Sequence, residues 1–406
     1  MAPGSMDVDA VDQLSQARHL TFDDWNPPFR ALLWIPLDAL VHGPTLMLLL
    51  QDGLIFLALA TLAMVVDAPW LPLIALWPAL LPLLAPVWKD TLLCGLALLA
   101  FALVTAKPRW RWMALAACLC ATATRHNAAL ATLPLVWLAF PRKPAFVAVV
   151  WLAMVMSSEI VSHAVARPTY PLQQILTHDL IGASLEENRN LLPSGMCTAV
   201  ESDCLAAWRG AYKADHTEST TFRQLPMRRI SDGTELRSLI MTWLSRTARH
   251  PFAYLARRWT IAQHLFIGEP SGSVFIGSVP NPFGVDIHPS ERARIATRLA
   301  QALSHTFVFS GWLYLLFGMV ALALTRFAHR GIIALVMSGW LYSLGNFLGA
   351  TSAEYRFNSW LMVSATTALA LAARLFFFAR DQQRKLVGAG QGDRALDFGL
   401  SDLAGK

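Results

Sequence analysis

The chain has 406 residues, 55% of them apolar and only 15% charged, against the roughly quarter-charged average of soluble domains. Its formal charge of +6 (33 basic against 27 acidic residues) is strewn through short loops, which excludes a nucleic-acid-binding stripe and leaves the basic residues as topology signals. The composition is that of an all-α polytopic membrane protein whose first partner is the lipid bilayer.

The opening residues, "MAPGSMDVDAVDQ", have neither a basic start nor an apolar run, so targeting is expected to fall to internal spans. Residues 1–30 read as an external N-terminal loop with an acidic motif, in which Asp7, Asp9, Asp12, Asp23 and Asp24 face only Arg18 in the first two dozen positions. In "FDDWNPPFRALLW" two prolines forbid a helix through Asn26 and allow one to begin after it, with Asp24 or Asn26 placed to cap it. Trp25 and Arg30 bracket this turn, which suits a sugar or a lipid phosphate as well as interfacial anchoring.

A spanning helix needs about 20 mainly apolar residues. Nine candidate stretches lie near 44–66, 70–86, 90–106, 109–123, 128–141, 144–165, 306–325, 331–350 and 359–379; the second is rich in proline, and 109–123 and 128–141 are short. The expected division is a transmembrane bundle over 31–165, an external, partly helical domain over 166–305, further transmembrane helices over 306–380 and a cytoplasmic tail over 381–406. Counted alternately, the basic stretches "KPRWR", "PRKP", "RFAHR" and "ARDQQRK" fall on one side, which the positive-inside bias makes cytoplasmic. "DDWNPP", "WKD", "ATRHN", the region 166–305 and "SAEYRFN" then share the other side, the periplasmic face of the inner membrane in a bacterium. Cys197 and Cys204 in "CTAVESDC" would meet that oxidising compartment, which favours a disulfide over two free thiols. Between Glu235 and Phe266 apolar residues recur at helical spacing with arginines among them, the pattern of two helices lying at a membrane surface.

Charged residues that topology leaves unexplained collect on the external side. Lys89 and Asp90 sit between two apolar spans, Arg125, His126 and Asn127 fill the gap between two others, and Glu354, Tyr355 and Arg356 precede the last. Lys89, Arg125 and Arg356 would bring three cations together beside several carboxylates, a set suited to binding a phosphate and stabilising the charge that grows on it as a bond breaks. His42 and His163 lack a ligand set and read as packing or boundary residues, whereas Asp52, beside Gln51 within the first span, is a costly carboxylate in hydrocarbon. The chain has no H-E-x-x-H or C-x-x-C metal motif, no P-loop and no glycine-rich dinucleotide fingerprint, so nothing in it supports nucleotide-driven chemistry.

The order of these elements, an acidic first loop, "DWNPP" about eighteen positions later, "WKD", "RHN", "HPFAYLARR" and "EYR" before the last span, resembles the GT-C superfamily of integral-membrane glycosyltransferases. More closely it resembles bacterial membrane proteins similar to protein mannosyltransferases and the lipid A aminoarabinose transferase, over roughly residues 9–375. The resemblance implies an inverting transfer of sugar from a polyprenyl-phosphate donor to a glycan, lipid or protein acceptor outside the cytoplasm. It implies a catalytic base in the first external loop; Asp9 matches best by its distance to Pro27 and Pro28, with Asp12 as the alternative. Lys89, Arg125 and Arg356 would touch the donor phosphate, and Asp24, Trp25, Asp90, His126, Asn127, Glu354 and Tyr355 would contact substrate. Some relatives use a divalent cation and others none. Relatives open with a membrane helix ahead of the catalytic loop, which these first residues do not supply, and they tend to have His where this chain has Asn26. The competing expectations are a carrier or flippase for a lipid-linked or anionic solute, which would line a path through the whole bilayer with polar residues, and an inactive membrane subunit.

Overall fold

A computed structural model describes residues 4–214, 225–267, 278–285 and 291–388; the expected tail beyond residue 388 lies outside the described residues. The chain is helical almost throughout. The N-terminal segment, expected as a loop, is a helix, α1 (Val8–His19), whose first turn is capped by the Asp7 side chain accepting from the Ala10 amide at 2.8 Å. It is followed by a two-residue strand, β1 (Phe22–Asp23), and by α2 (Phe29–Leu40), which starts directly after the two prolines. Neither Asp24 nor Asn26 caps α2: its N-cap is Pro28, without a side-chain hydrogen bond.

Among the described residues, five helices are long and apolar enough to cross a membrane. They are α3 (Thr45–Val65), α4 (Lys89–Ala106), α7 (Pro144–Val165), α14 (Arg330–Gly349) and α15 (Ser359–Gly388). Between them stand α5 (Arg111–Thr122), α6 (Ala128–Ala139) and α13 (Gly311–Leu324), shorter apolar helices that share one core with the long ones through Ala121, Val136 and Tyr314.

The second expected span, 70–86, is not an α-helix. Prolines at 69, 72, 78, 82 and 86 remove amide donors too often for one to continue, and the segment forms two 3₁₀ turns, Leu71–Leu76 and Leu81–Leu84, joined by irregular chain. It nevertheless travels the length of α3. A side chain at Gly4 would meet both Leu48, near the start of α3, and Val87, just before α4, while one at Gly95 would meet Leu54 and Ile55. α3 and α4 therefore run parallel, and the chain between them must return. Non-helical backbone at such depth is tolerated only where protein satisfies its polar groups. Here Thr91 Oγ1 donates to the Leu83 carbonyl at 2.8 Å, Tyr355 Oη to that of Ala79 at 2.6 Å, and Gln51 Nε2 to that of Pro86 at 2.7 Å.

The region after α7 opens with β2 (Ala166–Arg167), which pairs in parallel with β1. Among the described residues the helices that follow are α8 (Leu172–Glu187), α9 (Glu201–Ala211), α10 (Gly233–Arg249) and α11 (Pro251–Ala262), with α12 (Glu291–Ser304) after them. α8 to α10 enclose a small core of their own around Leu176, Leu180, Trp208 and Leu239, into which the Cys197–Cys204 disulfide anchors the start of α9. The expected pair of helices over 235–266 is α10 and α11. A fully buried guanidinium ties this layer to the bundle: Arg258 of α11 donates to Asp179 Oδ2 of α8 at 2.6 Å and to the Ala350 carbonyl, at the end of α14, at 2.5 Å. Trp243 Nε1 also donates to Asp179 Oδ2, at 2.9 Å. Removing one partner of a buried pair strands the other, so Arg258→Ala should destabilise by roughly 3–5 kcal/mol and lower the melting temperature in thermal denaturation; a melting curve superimposable on wild type would show that the pair carries no such weight.

Candidate active site

The helix ends divide the charges. Lys89 opens α4, Arg125 to Asn127 join α5 to α6, and Glu354 to Arg356 precede α15, so all stand at one end of the bundle with α1. At the opposite end Arg111 stacks over Phe140 at 5.2 Å, and Arg374 Nε donates to the Val66 carbonyl at 3.2 Å.

Where α1, the turn before α2, α4, α14 and the start of α8 meet, they enclose a cavity of about 640 Å³. Asp9, Asp12, Trp25, Lys89, Arg125, His126, Asn127, Glu354 and Arg356 all line it. Asp9 is the most connected of the carboxylates. Its Oδ2 accepts from Lys89 Nζ at 2.8 Å and lies 3.7 Å from Arg356 Nη1, and its Oδ1 accepts from Asn26 Nδ2 at 3.4 Å. Lys89 Nζ also donates to Asn26 Oδ1, closing a triangle between α1, the proline turn and α4. Burial alone would push the Asp9 carboxyl up, but the Lys89 ammonium and then the Arg356 guanidinium outweigh it and hold Asp9 far below the usual carboxylate range.

Arg356 Nη1 donates to Asp7 Oδ2 and Nε to Glu354 Oε2, each at 2.5 Å. For Asp7 burial is the larger effect, and despite Arg356 its carboxyl is raised. Arg125 pairs with Asp90 and stacks over Phe357 at 5.1 Å. Asp12 Oδ2 accepts from Gln16 Nε2 at 2.8 Å, one turn further along α1. Asn127 Nδ2 donates to Asn346 Oδ1 of α14 at 2.7 Å, and His126 Nε2 lies 3.3 Å from the Asp24 carbonyl, with burial lowering its pKa.

Three expected substrate contacts are turned away from the cavity. Asp24 is buried and its Oδ1 accepts from the amide and, at 2.6 Å, the hydroxyl of Thr169, so it holds the chain after β2 against the chain after β1. Asp90 is fully buried behind Arg125, where Tyr342 Oη donates to it at 3.3 Å. Tyr355 is buried with its hydroxyl on the proline-rich segment. Arg30 does not reach a ligand either: it is 1% exposed, bonded to Gln13 and to the Val87 carbonyl beneath α1. Asp52 does not line the cavity, and Gln51 Nε2 lies 3.5 Å from its Oδ1.

Other residues at the site were not singled out from the sequence. Arg229 lines the cavity with its guanidinium 4.2 Å over the Trp25 ring, a cation–π arrangement that brings the α8–α11 layer into the wall. Gln174 and Asn346 also line it. Asp7 stood in the acidic run without a role, although an Asp just before a helix start is itself an N-cap signal. Among the described residues no three His, Cys, Asp or Glu side chains gather closely enough to hold a metal ion.

The chain matches no protein-family model, no curated protein and no solved structure. What the site can do must come from its geometry: Lys89, Arg125 and Arg356 around one cavity can hold an anion, with the Asp9 carboxylate beside two of them.

A depressed carboxyl stabilises the fold above the unfolded pKa, about 3.9 for Asp, and that contribution disappears as pH falls through the folded value. Lys89→Met should therefore lower the melting temperature fully at neutral pH, and its difference from wild type should shrink below about pH 4. Melting curves recorded across that range test the linkage, and a gap independent of pH would contradict it.

Proposed function

We propose that the chain is a membrane glycosyltransferase that moves a sugar from a polyprenyl-phosphate donor to an acceptor hydroxyl on the external side of a bacterial inner membrane. The observation that carries this reading is that Asp9, Lys89, Arg125 and Arg356, four side chains from distant parts of the sequence, line one cavity at the end of an apolar helical bundle. A polyprenyl chain would lie among the apolar helices and its phosphate would meet the cations. A cavity of about 640 Å³ falls within the range of about 300–1,000 Å³ usual for small-molecule sites.

In the reaction, an acceptor hydroxyl forms the new bond to the anomeric carbon while the carbon–oxygen bond to the phosphate breaks. The hydroxyl proton passes to Asp9, and the extra charge left on the phosphate is balanced by Lys89, Arg356 and Arg125. Attack opposite the leaving phosphate inverts the anomeric centre. Trp25 and Arg229, together with Pro171, Leu172 and Gln174 from the α8 end of the cavity, form the surface on which the acceptor is selected.

Membranes containing the protein, incubated with a panel of radiolabelled polyprenyl-phosphate sugars, should incorporate label. Asp9→Asn should reduce that incorporation by roughly 10²–10⁴-fold, the range of a general base, while Asp12→Asn, whose carboxylate is bonded to Gln16 within α1, should retain most of it. Full activity in Asp9→Asn would remove the base assignment. No incorporation from any donor, together with uptake of labelled solute into vesicles, would replace the enzyme with a carrier.

A further inference from the structure

Lys89, Arg125 and Arg356 are already paired with carboxylates, and those partnerships are unequal. Arg125 is paired with Asp90, which is fully buried and cannot follow it. Arg356 has two close acceptors besides Asp9, Asp7 and Glu354, both at 2.5 Å. Lys89 is different: its carboxylate partner is Asp9, the proposed base, and its other acceptor is the neutral amide oxygen of Asn26. An ammonium on a flexible four-carbon stem also reorients more freely than a guanidinium held in a fork.

We infer that a phosphate entering the cavity takes Lys89 from Asp9, so that the donor itself releases the base that attacks it. The inference rests on the proposed glycosyl transfer and adds to it an exchange of ion-pair partners. A phosphate offers more negative charge and more acceptor oxygens than one carboxylate, and charge-assisted bonds to it are the stronger ones. Once Lys89 has turned, Asp9 keeps only its two longer contacts, Asn26 Nδ2 at 3.4 Å and Arg356 Nη1 at 3.7 Å.

Cations and carboxylates around Asp9 pull its basicity in opposite directions, and the exchange shifts that balance one way. Asp7 and Asp12 lie on its own helix and its cap, Arg30 lies beneath on α2, Asn26 is in the proline turn, Lys89 is on α4, and Arg356 with Glu354 stands before α15. Of the cations, Lys89 acts most strongly; losing it, and gaining an anionic neighbour, makes Asp9 a better proton acceptor. The empty site keeps its carboxylate ion-paired and poorly basic, and the occupied site frees it.

Two consequences separate this exchange from a fixed phosphate site. Because Asp9 competes with the phosphate for Lys89, Asp9→Asn should bind phosphate more tightly, by roughly tenfold, a typical coupling between two ligands of one group. Binding to wild type should also take up more protons, or release fewer, than binding to Asp9→Asn at the same pH on the acid side of neutrality, since the freed carboxylate gains affinity for them while the phosphate's own ionisation is common to both.

The experiment is isothermal titration of farnesyl phosphate into the purified full-length protein in detergent, in two buffers of different ionisation enthalpy, with farnesol and inorganic phosphate as parallel probes. Tighter binding by Asp9→Asn, with more proton uptake or less release in wild type than in Asp9→Asn, supports the exchange, and the same tightening with inorganic phosphate places it at the phosphate group. Equal or weaker binding by Asp9→Asn, undiminished binding by Lys89→Met, or the same tightening with farnesol overturns it. Unchanged affinity alongside lost sugar transfer in Asp9→Asn removes the exchange and leaves the glycosyltransferase; tightening in a protein that transfers no sugar removes the glycosyltransferase and leaves the exchange.

Discussion

The contact on which the site depends is the salt bridge between Lys89 and Asp9, with Asn26 bonded to both. It joins the first helix, the turn fixed by two prolines and the first residue of a membrane-length helix, above an apolar cluster of Ala10, Leu14, Trp34 and Val87 that packs the same segments together. Charges at the edge of an apolar bundle are costly unless matched, and here Lys89, Arg125 and Arg356 each have a carboxylate within reach. α1 is steadied at its middle and near its C-terminal end. Arg18 makes a two-pronged bond to Asp38 of α2 at 2.8 and 2.9 Å, and Arg30 holds Gln13 from below. A helix held so firmly presents its first-turn carboxylates in one orientation, which is what an acid–base group needs.

Much of this was legible in the sequence, for identifiable reasons. Long uninterrupted apolar runs specify helices regardless of their neighbours, so α4, α7 and α14 begin and end within a residue or so of where composition puts them. The two prolines before Phe29 fix a helix start by stereochemistry alone. The gathering of Lys89, Arg125 and Arg356 followed from alternation: charged motifs between successive spans on the same side must share one end of a bundle.

The remainder required three dimensions. Composition gives 70–86 the hydropathy of a span and hides that its prolines leave it without a donor ladder. Adjacent residues in a charged motif point in different directions, so "WKD" sends Lys89 to the cavity and Asp90 into the core, and "EYR" sends Glu354 and Arg356 out while Tyr355 turns inward. Asp24 was taken up by Thr169, a contact across 145 positions that no local pattern announces. Arg229 was invisible for the same reason: its place over Trp25 depends on how the α8–α11 layer folds back onto the bundle.

The irregular return between α3 and α4 is a tie as well as a path. Gln51 of α3, Thr91 of α4 and Tyr355 before α15 donate to its carbonyls, so the chain from 66 to 88 is pinned to the same elements that carry Lys89 and Arg356. Ser5, just before α1, pairs with Pro86 at its far end, so the same return acts as a hinge pin between the helix of Asp9 and the helix of Lys89.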